Sequence, residues 1–339
     1  MQNKTDLSEF DFHTAENKKK KSPVYINILL FIATFFTTTL AGVAWSNQDP
    51  YQLENLMAGI TYSVLIMFVI SAHEFGHYFA ARIHKVNVTL PYYIPFPFLF
   101  LNPFGTMGAL IKMKSGTQTR NSLFDIGISG PIAGWIASLI ILIIGFSTLP
   151  PIDYLYNIHP EYRDWGISTK GLTFGYNLIF FLFEKITHFF SPGAFIPPMN
   201  EIYHYPFLVV GWFGLLVTAL NMMPVGQLDG GHISYAMFGD KHKTLAWTVF
   251  FILVIFGALG LLELLFPDIR IGSINWLVWA GLILFIIRVE HPPLIGDFSG
   301  KLDTRRTILG WFSFFILISS FCPIDRKSTR LNSSHESPS

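Results

Sequence analysis

The sequence predicts an all-α polytopic membrane protein with about seven transmembrane helices. Only 13% of its 339 residues are charged, against about 25% in soluble domains, and 51% are hydrophobic. Charge-free runs of helix length recur along the chain, and basic residues cluster in alternate loops between them. These three observations exclude an ordinary soluble enzyme and a disordered chain.

Seven apolar runs, each with at most one charged residue, are long enough for a helix to cross the hydrocarbon core, which takes about 20 apolar residues. Their predicted helical cores are residues 25–45, 56–81, 123–146, 206–224, 245–266, 274–289 and 307–321.

An eighth uncharged run, residues 86–111, does not fit a spanning helix because it contains several prolines. These are Pro91, Pro95, Pro97 and Pro103. We expect residues 91–113 to form a Pro-rich hairpin or re-entrant segment after the second helix. Irregular backbone at membrane depth survives only against protein or water, so this segment should line a cavity.

The charges between the runs orient the chain, because cytoplasmic loops carry excess Lys and Arg. The run Lys18 to Lys21 at the end of the tail of residues 1–24 places the N-terminus in the cytoplasm, and this tail is too polar for a cleavable signal peptide. Residues 147–205 carry five acids against three basic residues and should face outwards. The sequence thus predicts a multi-pass protein of a bacterial plasma membrane.

Net charge and cysteine content limit the possible partners and cofactors. The net charge of +1 suggests no polyanion, so nucleic acid is not an expected partner. The single cysteine, Cys322, allows neither an intramolecular disulfide nor a cysteine-based metal site. If the protein binds a zinc ion, its ligands must therefore be histidines and carboxylates. Residues 323–339 change abruptly to a polar tail, which we interpret as non-native or disordered.

The second run ends in His73-Glu74-Phe75-Gly76-His77, an H-E-x-x-H motif inside an apolar helix. Residues four apart share a helix face, so His73 and His77 can offer two imidazoles to one metal ion. Glu74 can accept a proton from a zinc-activated water. Chance predicts on the order of 0.01 such strings here; the alternative is a helix end that surfaces with ordinary polar residues.

A catalytic zinc site normally has a third protein ligand. The fourth run ends near Asp229, which should reach the same depth as the two histidines and would neutralise part of the metal charge. His232, one helical turn further on, is the competing ligand. Asp229 could instead, or in addition, cap the next helix.

Three motifs in order resemble the site-2 protease family of intramembrane zinc metalloproteases, peptidase M50. They are His73-Glu74-x-x-His77, residues 124–134 of a central helix, and Asn221-x-x-Pro224 followed by Leu228-Asp229-Gly230. The details are most like the plastid and cyanobacterial branch that lacks a PDZ domain, since residues 147–205 are too few for one. The resemblance covers residues 56–240, the expected catalytic core of a membrane domain at 25–322.

This resemblance implies that His73, His77 and Asp229 bind one Zn²⁺ ion and that Glu74 is the general base. Asn221 is a candidate to support the transition state or substrate, although it could equally be a buried Asn satisfied by a neighbouring helix. Pro224 is expected to end the fourth helix so that Asp229 can turn to the metal.

Gly130 and Gly134 should let the third helix approach the zinc helices closely. The remaining histidines are expected at surfaces or interfaces, without a role: His84, His159, His188, His204, His242 and His291.

The predicted function is a zinc endopeptidase that cleaves single-span or membrane-tethered proteins within or near their transmembrane segments, in regulated intramembrane proteolysis. The substrate and the lipid bilayer are its expected partners. One alternative is a membrane zinc hydrolase of another H-E-x-x-H class. The other is a metal-binding transporter, in which Glu74 would have no proton to abstract.

Overall fold

A computed structural model describes residues 23–113, 119–168, 172–266, 272–292 and 300–322, so most of the N-terminal tail and the polar tail at 323–339 lie outside the described residues. Helices dominate the described part. They are α1 (Val24–Trp45), α2 (Leu56–Ile83), α3 (Arg120–Ser147), α4 (Asp153–Ile158), α5 (Tyr162–Trp165), α6 (Leu178–Phe190), α7 (Pro206–Asn221), α8 (Asp229–Phe238), α9 (His242–Leu265), α10 (Asn275–Leu282) and α11 (Thr304–Ser320). Strands β1 (Tyr92–Pro95) and β2 (Thr106–Leu110) lie between α2 and α3.

Each of the seven predicted helical cores coincides with a helix, the sixth being α10 and the π-helical turn Ile283–Ile287 that follows it. Among the described residues, four helical stretches are long and apolar enough to cross a membrane, namely Val24–Trp45, Leu53–Ile83, Arg120–Ser147 and Asp229–Leu262. The apolar helices Pro206–Asn221 and Asn275–Ile287 are shorter. The protein is therefore a mostly helical membrane protein.

The core of the fold is formed by α2, which packs between α1 and α3, and by α7, which packs on α3 and α2. Ile66, Ile141 and Leu215 are fully buried where these helices meet. A hydrogen bond of 2.6 Å joins the hydroxyls of Thr38 in α1 and Ser63 in α2. Such a bond satisfies two polar groups that apolar surroundings would otherwise leave unpaired.

The Pro-rich segment forms an antiparallel hairpin, as expected. Its strands pair with a bulge between Tyr93 and Pro95, which suits a residue that has no N–H to donate. The Asn27 amide donates to the carbonyls of Leu90 and Pro91, at 3.1 and 2.8 Å. The hydroxyls of Ser71 and Tyr93 lie 2.7 Å apart. Helices α1 and α2 thus hold the hairpin against the bundle.

An ion cluster joins the ends of three helices. The Arg306 guanidinium in α11 donates from Nε and Nη2 to the two carboxylate oxygens of Asp125 in α3, at 2.8 and 2.6 Å. His84, which follows α2, lies 2.7 Å from the same carboxylate. A bidentate Arg–carboxylate pair is among the stronger hydrogen-bonded contacts. The Asp125 carboxylate therefore links the ends of α2, α3 and α11.

Asp125→Asn should destabilise the protein because it removes the charge that both partners share. We expect the free energy of unfolding to fall by about 1.5–3 kcal/mol, measured by thermal and denaturant unfolding in detergent. Asp153→Asn is the matched control, since the Asp153–Arg163 pair is 3.5 Å long and mostly exposed. Its effect should stay below about 1 kcal/mol. Equal losses in the two variants would contradict this account.

Candidate metal centre

His73 and His77 lie one turn apart on the same buried face of α2. Their Nε2 atoms are 3.1 Å apart. The helix periodicity that predicted this pair therefore brings two imidazole nitrogens to one point.

Asp229 reaches the histidines because the chain turns sharply between α7 and α8. Helix α7 ends at Asn221, three residues before Pro224, as helices usually do near a proline. Gly226 then adopts a φ of +52°, and its N–H donates to the Val289 carbonyl at 2.8 Å. The turn places Asp229 at the start of α8, where Leu228 rather than Asp229 is the N-cap residue.

The three side chains form a set of donors with the spacing of a metal site. One Asp229 carboxylate oxygen lies 3.3 Å from His73 Nε2, and the other lies 3.4 Å from His77 Nε2. Ligands of a tetrahedral zinc ion, bound at about 2.0–2.1 Å, are roughly 3.3 Å apart. The observed spacing therefore fits a divalent ion of that size.

The environment of His77 favours metal binding as well. Its Nδ1–H donates to the Ile126 carbonyl at 2.7 Å; a carbonyl can only accept, so the proton is on Nδ1. The lone pair of Nε2 is thereby left facing His73 and Asp229. A backbone carbonyl that fixes the tautomer in this way is common behind metal-binding histidines.

A cavity of about 360 Å³ opens beside the donors. His73, Glu74, Asn221 and residues 106–109 of β2 are among the residues that line it. Glu74 is only 7% exposed. The Asn221 amide nitrogen lies 3.5 Å from His73 Nε2. Pro224 is buried in the turn instead and does not line this cavity.

His232, the competing ligand, is engaged elsewhere: its Nδ1 lies 2.7 Å from Nε2 of His291. The expectation that the remaining histidines lie at surfaces is wrong for His204, His242 and His291, which are 5% exposed or less. Each is buried because a polar partner replaces water. These partners are the Trp45 carbonyl, the Ser234 hydroxyl and the Pro292 carbonyl, respectively.

Gly130 and Gly134 let α3 lie against the two histidines, as the sequence predicted. A Cβ atom on Gly130 would overlap the His77 ring, and one on Gly134 would come within 3.2 Å of His73 Nδ1. The two glycines of α3 therefore make room for the imidazole rings of α2, and not only for a close approach of the two helix backbones.

Sequence reasoning missed two parts of this site. The carbonyl of Ile126 carries no side-chain signal, so no residue type could have revealed it. Trp279 of α10 also lines the cavity. It lies far along the chain from the site motifs, so the sequence did not indicate that it belongs to the site. For residues 106–109 a signal existed, since the Pro-rich segment of residues 91–113 was expected to line a cavity.

The chain was compared with known proteins. Residues 61–259 match the model of peptidase family M50. The chain is 28% identical over 270 residues to a probable zinc metalloprotease EGY2, chloroplastic, of Oryza sativa subsp. indica, covering 78% of this chain and 43% of the relative. It is 27% identical over 259 residues to a probable zinc metalloprotease EGY1, chloroplastic, of Arabidopsis thaliana, covering 76% and 42%. The chain thus spans less than half the length of these relatives, and no solved structure matches it.

Gly130→Ala should disturb the donors because the new methyl group would displace the His77 ring. Overpacking of this kind destabilises by about 1–3 kcal/mol. We also expect the zinc content to fall by up to one ion per chain, measured by elemental analysis of the purified protein. Gly281→Ala in α10 is the control, since a Cβ there meets nothing within 4 Å. Unchanged zinc and stability in Gly130→Ala would contradict this packing.

Proposed function

The chain belongs to peptidase family M50, and from this premise we propose that it is a zinc-dependent intramembrane endopeptidase. The observation that carries the proposal is the convergence of His73, His77 and Asp229 beside a buried glutamate and a cavity. The named relatives are zinc metalloproteases, which supports the same ion and the same reaction class.

We assign His73, His77 and Asp229 as the zinc ligands. Two imidazoles and one carboxylate are donors that suit zinc, and one carboxylate offsets half of the charge of the ion. When bound, zinc would polarise the scissile carbonyl and acidify an attacking water molecule. Of the three ligands, His73 lines the cavity, through which that carbonyl would approach.

Glu74 is the general base in this proposal. It neighbours His73 in the helix and lines the cavity, so its carboxylate can take a proton from the attacking water and later deliver it to the leaving amide nitrogen. Asn221 can donate an amide N–H to the carbonyl oxygen that gains negative charge. Pro224 acts indirectly, by ending α7 ahead of the turn to Asp229.

The hairpin offers a means of holding the substrate in extended form. A helical transmembrane segment must unwind before its peptide bond is accessible, and an extended peptide pairs well with an exposed strand edge. Within the described residues β2 pairs with β1 alone, and its residues 106–109 line the same cavity as Glu74. We propose that a single-span or membrane-tethered substrate adds a strand beside β2.

The proposed membrane arrangement has seven spans, with the hairpin re-entrant from the cytoplasmic side. Residues 25–322 form the membrane domain and 56–240 its catalytic core, between a cytoplasmic tail at 1–24 and a polar tail at 323–339. Alternating basic loops support this orientation. We place the protein in a bacterial plasma membrane; the chloroplastic relatives make a plastid membrane the alternative.

Glu74→Gln should keep zinc but lose proteolysis. The amide cannot take the proton, and loss of a general base lowers rates by about 10²–10⁴. The test is cleavage of a single-span substrate by purified protein in liposomes, with zinc measured in the same sample. Equal cleavage by the variant would refute the mechanism, and zinc binding without cleavage by the unchanged protein would favour a transporter. Normal zinc and activity in Asp229→Ala would favour another class of H-E-x-x-H hydrolase.

Asn221→Ala should lower kcat by about 10²–10³, with KM and zinc content little changed, if its amide stabilises the oxyanion. The measurement is the kcat and KM of the same cleavage reaction. Thr218→Ala, one turn earlier on α7 and also beside the cavity, is the control for packing changes. A loss of stability without a loss of kcat would assign Asn221 a structural role instead.

A further inference from the structure

A second group of metal-binding side chains lies in the segment between α3 and α7, which the charge pattern places on the opposite side of the membrane from the N-terminus. His159 follows α4, whereas Glu201 and His204 belong to the short turn before α7. One donor atom from each residue lies within 4.8 Å of the others. None of these residues takes part in the proposed proteolysis.

The distances within this group resemble those of a bound metal ion. The Nε2 atoms of His159 and His204 are 3.0 Å apart. His204 Nε2 lies 3.6 Å from Oε2 of Glu201. These values bracket the spacing of roughly 3.3 Å between ligands of a tetrahedral zinc ion.

Hydrogen bonds orient both rings with their Nε2 lone pairs towards each other. His204 Nδ1–H donates to the Trp45 carbonyl at 3.0 Å, and His159 Nδ1–H donates to the Glu161 carboxylate at 3.0 Å. Both partners can only accept, so the protons are on Nδ1. Two facing lone pairs at 3.0 Å repel unless a proton or a metal ion lies between them.

Glu201 supplies negative charge and an unused ligand atom. It is 2% exposed. Its Oε1 accepts hydrogen bonds from the Tyr162 hydroxyl at 3.0 Å and from the Asn200 amide at 2.8 Å. Its Oε2, on the side of His204, is buried and has no hydrogen-bond partner among the described residues. A buried carboxylate oxygen without a partner is strongly unfavourable, and a metal ion would satisfy it.

We propose that His159, Glu201 and His204 bind a second divalent transition metal ion, for which zinc is the best match to two imidazoles and a carboxylate. The ion has a structural role. It joins the end of α4 to the turn before α7, and through the Trp45 carbonyl it is linked to the end of α1. Glu161 and Trp45 hold the two rings, as second-layer acceptors do in known zinc sites.

The experiment counts zinc in the full-length protein with and without the first site. The unchanged chain should hold two zinc ions, and the double variant His73→Ala/Asp229→Ala should keep one. Adding His159→Ala to that double variant should remove it. His188→Ala in the same background is the control, because this exposed histidine of α6 should leave the count at one.

A second measurement covers the case in which a variant folds poorly. In the His73→Ala/Asp229→Ala background, zinc added after chelation should raise the Tm, and Glu201→Gln should reduce that shift. If this background binds no zinc and its Tm does not respond, a shared proton on the histidine pair replaces the metal and the proposal fails. Failure of proteolysis would leave these zinc counts unchanged, so the two proposals are tested separately.

Discussion

Placing a carboxylate and two imidazoles together inside charge-poor helices is the constraint on which the rest of this structure depends. A lone Asp at the depth of the helix bundle is expensive, and it becomes tolerable only when it meets partners of opposite charge or a metal ion. The three donors of His73, His77 and Asp229, at 3.1 to 3.4 Å, meet that condition. The packing of α3 and the turn between α7 and α8 both follow from it.

Two local features bring the donors together: the glycines of α3 and the turn between α7 and α8. In α3, Gly130 and Gly134 remove side chains, so the imidazoles of α2 fit against the α3 backbone. Between α7 and α8, Pro224 removes a backbone donor, and Gly226 accepts a left-handed φ. Without these changes Asp229 would continue along the axis of α7, away from His73 and His77.

The sequence predicted the parts that depend on local patterns. Charge-free runs located the helices, helical periodicity paired His73 with His77, and four prolines predicted the hairpin at residues 91–113. It could not predict contacts between distant segments. The Ile126 carbonyl behind His77 has no residue signature, and Arg306 meets Asp125 across 181 positions. The burial of histidines such as His204 could not be predicted either. A histidine can be buried only where a polar group replaces water, and for His204 that group is the carbonyl of Trp45, which is distant in the sequence.

The two donor groups differ in what surrounds them, and that difference argues for different roles. In the first group, His73 lines a cavity together with Glu74 and residues 106–109 of β2, so a ligand can reach this site. In the other group, Glu201 and His204 are almost fully buried, and the residues around them supply only fixed acceptors and donors. No general base lines a cavity there within the described residues. A metal ion in the first setting can act on a substrate, whereas in the second it can only hold segments of the chain together.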